Sequence, residues 1–141
     1  LQRGCKMKRF IIMQGHSGSG KTTYVNDMKR HDDVVISADK YFYNDKGQYE
    51  FDITKLQESH EKAWKECINV MQDSVRNNNN DCTIWLDNTN CKKEDVDNYL
   101  IHATNNRFQI IYTIMKGEFT GKAPKYIIEE QKRNLEEFNY E

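Results

Sequence analysis

The chain of 141 residues lacks most of the features that would mark a membrane, secreted or nucleic-acid-coating protein. It has no apolar run long enough to span a bilayer. It shows no basic start followed by an apolar stretch and a small-residue cleavage site, so a secretory leader is not expected. It has no excess of one charge, with a net value of −1. A protein that coats nucleic acid by neutralising phosphates carries a basic excess, so any such contact is expected to be local, as with a strand end in a pocket. The four cysteines (Cys5, Cys67, Cys82 and Cys91) form no C-x-x-C pair, and no histidine pair sits at metal-ligand spacing. Free thiols in a reducing compartment, cytoplasm or nucleus, are therefore expected. Internal repeats, heptads and a domain linker are also missing, and the length suits one compact domain. That domain is expected to run over 7–141, with 1–6 an upstream remnant or cloning scar.

What is present is an alternation of short apolar runs with helical patterns. Lys8 to Gln14 is predicted to be a buried strand, bounded by Gly15. Lys21 to Arg30 is predicted as a helix with Val25 and Met28 on one face, and Val34 to Ala38 as a second strand. Continuous apolar character without alternation suits a parallel sheet covered on both faces. Asp39 to Asp52 reads as a long functional loop. Thr54 to Arg76 reads as the longest helix, with Thr54 and Gln57 as a capping box. Its apolar stripe runs through Leu56, His60, Ala63, Cys67, Met71 and Ser74, beside Trp64, Ile68 and Val75. Cys82 to Leu86 is a third strand, Lys92 to Asn105 a helix and Arg107 to Met115 a fourth strand. Lys116 to Ala123 reads as a flexible segment. Pro124 opens a last helix with Ile128, Gln131, Leu135 and Phe138 on one face. The order predicts an α/β three-layer sandwich of the P-loop NTPase type. Its mostly parallel sheet has about four strands, with right-handed crossovers and helices on both faces.

Gly15 to Thr23, GHSGSGKTT, matches G-x-x-x-x-G-K-[ST] in full, between a predicted strand and a predicted helix. Glycines let the backbone curl until successive N–H groups point at phosphate oxygens, and the next helix adds its positive end. Gly15, Ser17, Gly18, Ser19, Gly20, Lys21, Thr22 and Thr23 are thus expected to hold the phosphates of an NTP, ATP or GTP. Lys21 reaches the β- and γ-phosphates, and Thr22 offers its hydroxyl to Mg²⁺. His16 and Ser17 are assigned backbone roles only. Ligands of open parallel sheets bind beyond the carboxyl ends of the strands. Asp87, ending TIWLD, is placed to share the Mg²⁺. Asp39 follows the second strand, where a carboxylate can take the proton of an acceptor hydroxyl. Tyr41, Phe42, Tyr43, Tyr49 and Phe51 are either a stacking surface for a base or a small core that pins the loop.

In order, GHSGSGKTT, SADKYF (Ser37 to Phe42), GQYEFD (Gly47 to Asp52), ESH (Glu58 to His60) and LDNTN (Leu86 to Asn90) resemble the P-loop polynucleotide-kinase-like family. That family includes the bacteriophage 5′-hydroxyl polynucleotide kinase and kinase domains of repair and ligation proteins. The resemblance runs from about Lys8 to Asn90. It implies that Asp39 is the general base for a 5′-hydroxyl of DNA or RNA, and that Lys21 and Thr22 handle the phosphates and Mg²⁺. It implies that Asp87, Asn88 and Asn90 lie toward the acceptor; of the loop aromatics, Tyr41 is the one taken as a further substrate contact. It also implies a basic lid, for which Lys116 and Lys122 are the candidates. The chain departs from the phage enzyme at Phe42, where that enzyme carries a basic residue, and in the shortness of the lid. The same parts would also serve a kinase of a small metabolite or nucleoside, or an NTP-binding module that transfers nothing.

Overall fold

The computed structural model describes residues 5–121 and 123–140. Four strands form one sheet: β1 (Lys8–Gln14), β2 (Val34–Ile36), β3 (Cys82–Leu86) and β4 (Gln109–Ile114). Their order is β2-β3-β1-β4 and every pair is parallel. Phe10 lies level with Ile84 on one side and Ile110 on the other, so the carboxyl ends of the strands come out together. Four helices connect and close the sheet: α1 (Lys21–Met28), α2 (Leu56–Arg76), α3 (Lys93–Asn105) and α4 (Lys125–Glu136).

Alternate residues of β1 serve opposite faces, as a strand requires. Phe10 and Ile12 join Ala63, Cys67 and Met71 of α2 and Val96, Tyr99 and Ala103 of α3 in one core. Ile11 and Met13 pack with Trp85 and with Val25 of α1 in a second. The three layers are therefore α1, the sheet, and the α2–α3 pair. Among the described residues, no helix is long and apolar enough to cross a membrane.

Several boundaries differ from expectation for local reasons. α1 ends at Met28, because Lys29 is already extended, and Met28 is left exposed. β2 stops at Ile36, and the chain turns into a single 3-10 turn over Asp39–Phe42. α2 opens without the Thr54–Gln57 box. Asp52 Oδ1 instead accepts from Thr54 N (3.0 Å) and Thr54 Oγ1 (2.6 Å), and a 3-10 turn over Ile53–Lys55 leads into the helix. His60 and Val75 are exposed, and Ser59 takes the buried place expected of His60, donating to Leu56 O (2.7 Å). β4 starts two residues late because Arg107 turns the chain with φ 67°. α4 ends at Glu136, and Phe138 packs beyond it against Tyr112. At the amino end, Arg9 is buried in β1 and donates to Cys5 O (3.0 Å).

Candidate active site

The loop from Gly15 to Gly20 leaves β1 at the carboxyl edge of the sheet and feeds directly into α1. Gly18 and Gly20 have φ of 83° and 97°, the left-handed region where a side chain is strained. Both are also crowded: a Cβ on Gly18 would come 2.5 Å from Phe119 O, and one on Gly20 3.3 Å from the Phe119 ring. Lys21 is buried and its Nζ donates to Gly15 O (2.8 Å) and His16 O (3.0 Å), so the loop's own carbonyls hold the ammonium. Burial lowers the Lys21 pKa, while Asp87, Cys91 and Asp39 act in the opposite sense.

Asp87 leaves β3 buried, and its Oδ2 accepts from Thr22 Oγ1 (2.8 Å). Burial raises its pKa; the Thr22 hydrogen bond and the Lys21 charge oppose that rise. Thr22 and Asp87, expected as partners for a cation from positions 65 residues apart, are thus in direct contact. A hydroxyl and a carboxylate are hard oxygen donors of the kind Mg²⁺ takes, with its remaining positions left to water and phosphate. The Ser19 hydroxyl is buried without a hydrogen-bond partner inside the same loop, facing Gly15. These features fit a Mg²⁺–triphosphate group.

Asp39 stands exposed at the start of the 3-10 turn, close enough to act on the charges of Lys21 and Asp87. Tyr49 OH donates to Asp39 Oδ1 (3.3 Å). Burial first, and then Asp39, push the Tyr49 pKa up to about 12, so the phenol keeps its proton for this bond at neutral pH. The aromatic loop is largely a small core of its own. Phe42 is buried with ring centroids 6.2 Å from Tyr49 and 5.0 Å from Phe51, and Tyr43 and Tyr49 are joined by an isolated bridge. Tyr41 is tied to α2, where its hydroxyl donates to Glu66 Oε2 (3.2 Å).

The two asparagines after Asp87 have different geometry. Asn88 Oδ1 accepts from Ala38 N (3.0 Å), which links the end of β3 to the residue before Asp39. Asn90 is buried at φ 49°, with its Nδ2 donating to Met13 O (2.7 Å) and, at longer range, Asn88 O and Leu86 O. The Asn90 amide nitrogen thus braces β1 against the β3–α3 turn, and the residue also lines the cleft beyond it. Gln14, fully buried, completes the brace by donating to Asn90 O (3.0 Å). An open cleft of about 600 Å³ lies between the first half of α2 and the start of α3 and reaches residues 88–90.

The segment after β4 is less free than expected. Gly117 N donates to Ser19 O (3.1 Å) and Phe119 N to Gly18 O (2.8 Å), so its backbone lies on the phosphate loop. Gln131 of α4 accepts from Ser17 N (2.8 Å). Lys116 is exposed; Lys122 lies outside the described residues. Sequence reasoning missed Gln131 and Gln14 as parts of the site, and it named Tyr49 only as one of the loop aromatics, not as a partner of Asp39. A fully polar Gln14 ending an apolar strand beside Gly15 was a readable signal. The Gln131 contact and the Tyr49–Asp39 bond carry none, because they are set by loop packing.

An all-parallel sheet of this order, with a glycine loop after β1 and an acid of β3 bonded to the loop's threonine, defines a kinase-like P-loop protein. The chain belongs to the AAA domain family, whose family model matches residues 10–116. It is 27% identical over 104 residues to human NEDD4-binding protein 2, an alignment covering 72% of this chain and 6% of that protein. Among solved structures, it superposes on a chain of the Pnkp1/Rnl/Hen1 RNA repair complex with a TM-score of 0.65 at 15% identity, covering 99% of this chain and 49% of that one. The Mycobacterium tuberculosis APS kinase CysC follows with a TM-score of 0.51 at 11% identity, covering 94% of this chain and 97% of that one. These likenesses support the kinase-like fold. The chain spans only a small part of the first relative and about half of the repair-complex chain.

Proposed function

We propose that the chain is a 5′-hydroxyl polynucleotide kinase domain that transfers the γ-phosphate of ATP or GTP to a DNA or RNA 5′ end. The observation that carries the reading is the position of Asp39. Its charge acts on both Lys21 and Asp87, the preceding Ala38 N donates to Asn88, which lines the cleft, and Tyr49 steadies its carboxylate. In this role Asp39 accepts the proton of the 5′-hydroxyl as that oxygen bonds to the γ-phosphorus. The bond to the β-phosphate oxygen breaks, and NDP leaves. Lys21 and the loop N–H groups would hold the phosphates, and Thr22 and Asp87 would hold Mg²⁺. Mg²⁺, when bound, would neutralise charge on the phosphate oxygens. The similarity to a chain of an RNA repair complex supports a nucleic-acid end as acceptor.

The direct test is transfer of labelled γ-phosphate, from ATP and from GTP, to matched 5′-hydroxyl DNA and RNA oligonucleotides, with nucleosides alongside. Label is expected at oligonucleotide 5′ ends. Label on none of these acceptors, with NTP binding intact, would defeat the reading.

Tyr49 is a positioning residue in this scheme. This bond to a carboxylate is exposed and long at 3.3 Å, so its contribution is expected at about 0.5–1.5 kcal/mol, below the roughly 1.5–3 kcal/mol of a well-formed bond to a charged group. Tyr49→Phe is therefore expected to lower kcat by roughly 2–10-fold with KM unchanged. A change confined to KM, or to the melting temperature alone, would remove Tyr49 from the scheme.

A further inference from the structure

The cleft that reaches residues 88–90 has an unusual charge for a surface meant to receive a polyanion. Its walls carry three carboxylates, Glu61, Glu94 and Asp95, together with His60. No lysine or arginine lines it among the described residues. Its apolar surface includes Trp64 and Tyr99. Two lysines are paired with carboxylates of α2: Lys40 with Glu66, and Lys62 with Glu58 (3.0 Å). Phe42, three residues after Asp39, is buried among aromatics and offers no cation either. A row of phosphates along this lining would meet repulsion from its three carboxylates. An uncharged, base-sized group would meet ring surface and amide groups from Asn88 and Asn98.

We infer that the acceptor cleft takes in the 5′-terminal nucleoside of the strand and leaves the phosphodiester backbone outside, so that acceptor strength does not grow with strand length. This rests on the kinase reading above. Each phosphate that a protein neutralises contributes about −0.7 to the slope of log affinity against log salt for single strands. An enzyme that grips several phosphates therefore prefers long strands and loses activity steeply with salt. This cleft predicts neither.

The experiment is kcat/KM for three 5′-hydroxyl acceptors: a nucleoside 3′-monophosphate, a dinucleotide and a strand of about 20 nucleotides, each from about 50 to about 200 mM salt. The expected result is agreement within about threefold across the series, with a salt slope shallower than about −1 for the long strand. The double variant Glu61→Lys with Glu94→Lys changes exposed side chains. It should raise the long-to-short ratio by about fivefold or more and steepen the salt slope. A wild-type preference for the long strand of about 30-fold or more, with a steep slope, overturns the inference and leaves the kinase reading standing. An unchanged ratio in the double variant also overturns it. Label on none of the three acceptors defeats the kinase reading itself, and the inference with it.

Discussion

Asp39→Asn is expected to lower phosphate transfer to any acceptor by about 10²–10⁴-fold, the range that a positioned general base supplies. The substitution keeps the shape of the side chain and its acceptor oxygen, so the Tyr49 hydroxyl retains a partner. The residue is exposed, so folding should be unaffected. NTP affinity is expected to stay level or tighten slightly. Asp39 and Asp87 both place negative charge near Lys21, and the change removes one of those charges from beside an incoming triphosphate. Transfer and binding should therefore separate in one variant. Single-turnover transfer and equilibrium binding of an NTP analogue measure the two. Turnover within about threefold of the parent would place the base elsewhere.

Asn90→Ala is expected to act mainly on stability. It leaves Met13 O buried without its 2.7 Å donor and removes the weaker bonds to Asn88 O and Leu86 O. It also puts alanine at φ 49°, a conformation that asparagine tolerates better. One orphaned buried acceptor costs about 1–3 kcal/mol, which for a domain of this size is a fall in Tm of roughly 4–12 °C. Thermal unfolding of the variant reads this directly. A rise in acceptor KM with Tm unchanged would instead make Asn90 a substrate contact.

These two predictions come from residues that the sequence placed on one site, Asp39 as the base and Asn90 toward the acceptor. Asp39 and Asn90 each sit just beyond an apolar strand in a motif that resembles one family. Only packing separates them: one carboxylate is exposed beside the phosphate loop, and one amide is turned inward onto β1. The sheet was readable in advance because its strands are runs of consecutive apolar residues. β1 and β3 have the expected bounds, and the edge strands β2 and β4 proved shorter where flanking turns took residues away. The start of α2 was not readable, because an aspartate outside the expected box reached the free N–H first. The ambiguity of the aromatic loop was also genuine. Phe42, Tyr43, Tyr49 and Phe51 meet one another, and spacing along a chain does not reveal which rings a loop folds together.

By itself, the sequence determined the kinase-like α/β class, the phosphate loop and the two acids at strand ends. Those features depend on local backbone chemistry: glycines that permit positive φ, apolar runs that must be buried, and a sheet that exposes one end. The tertiary structure alone decided that Tyr49 holds Asp39, that Gln131 and the segment after β4 lie on the loop, and that the cleft at residues 88–90 is lined with carboxylates. Each of those depends on side chains far apart in sequence, and folding brings such side chains together by packing their elements, which no short motif encodes.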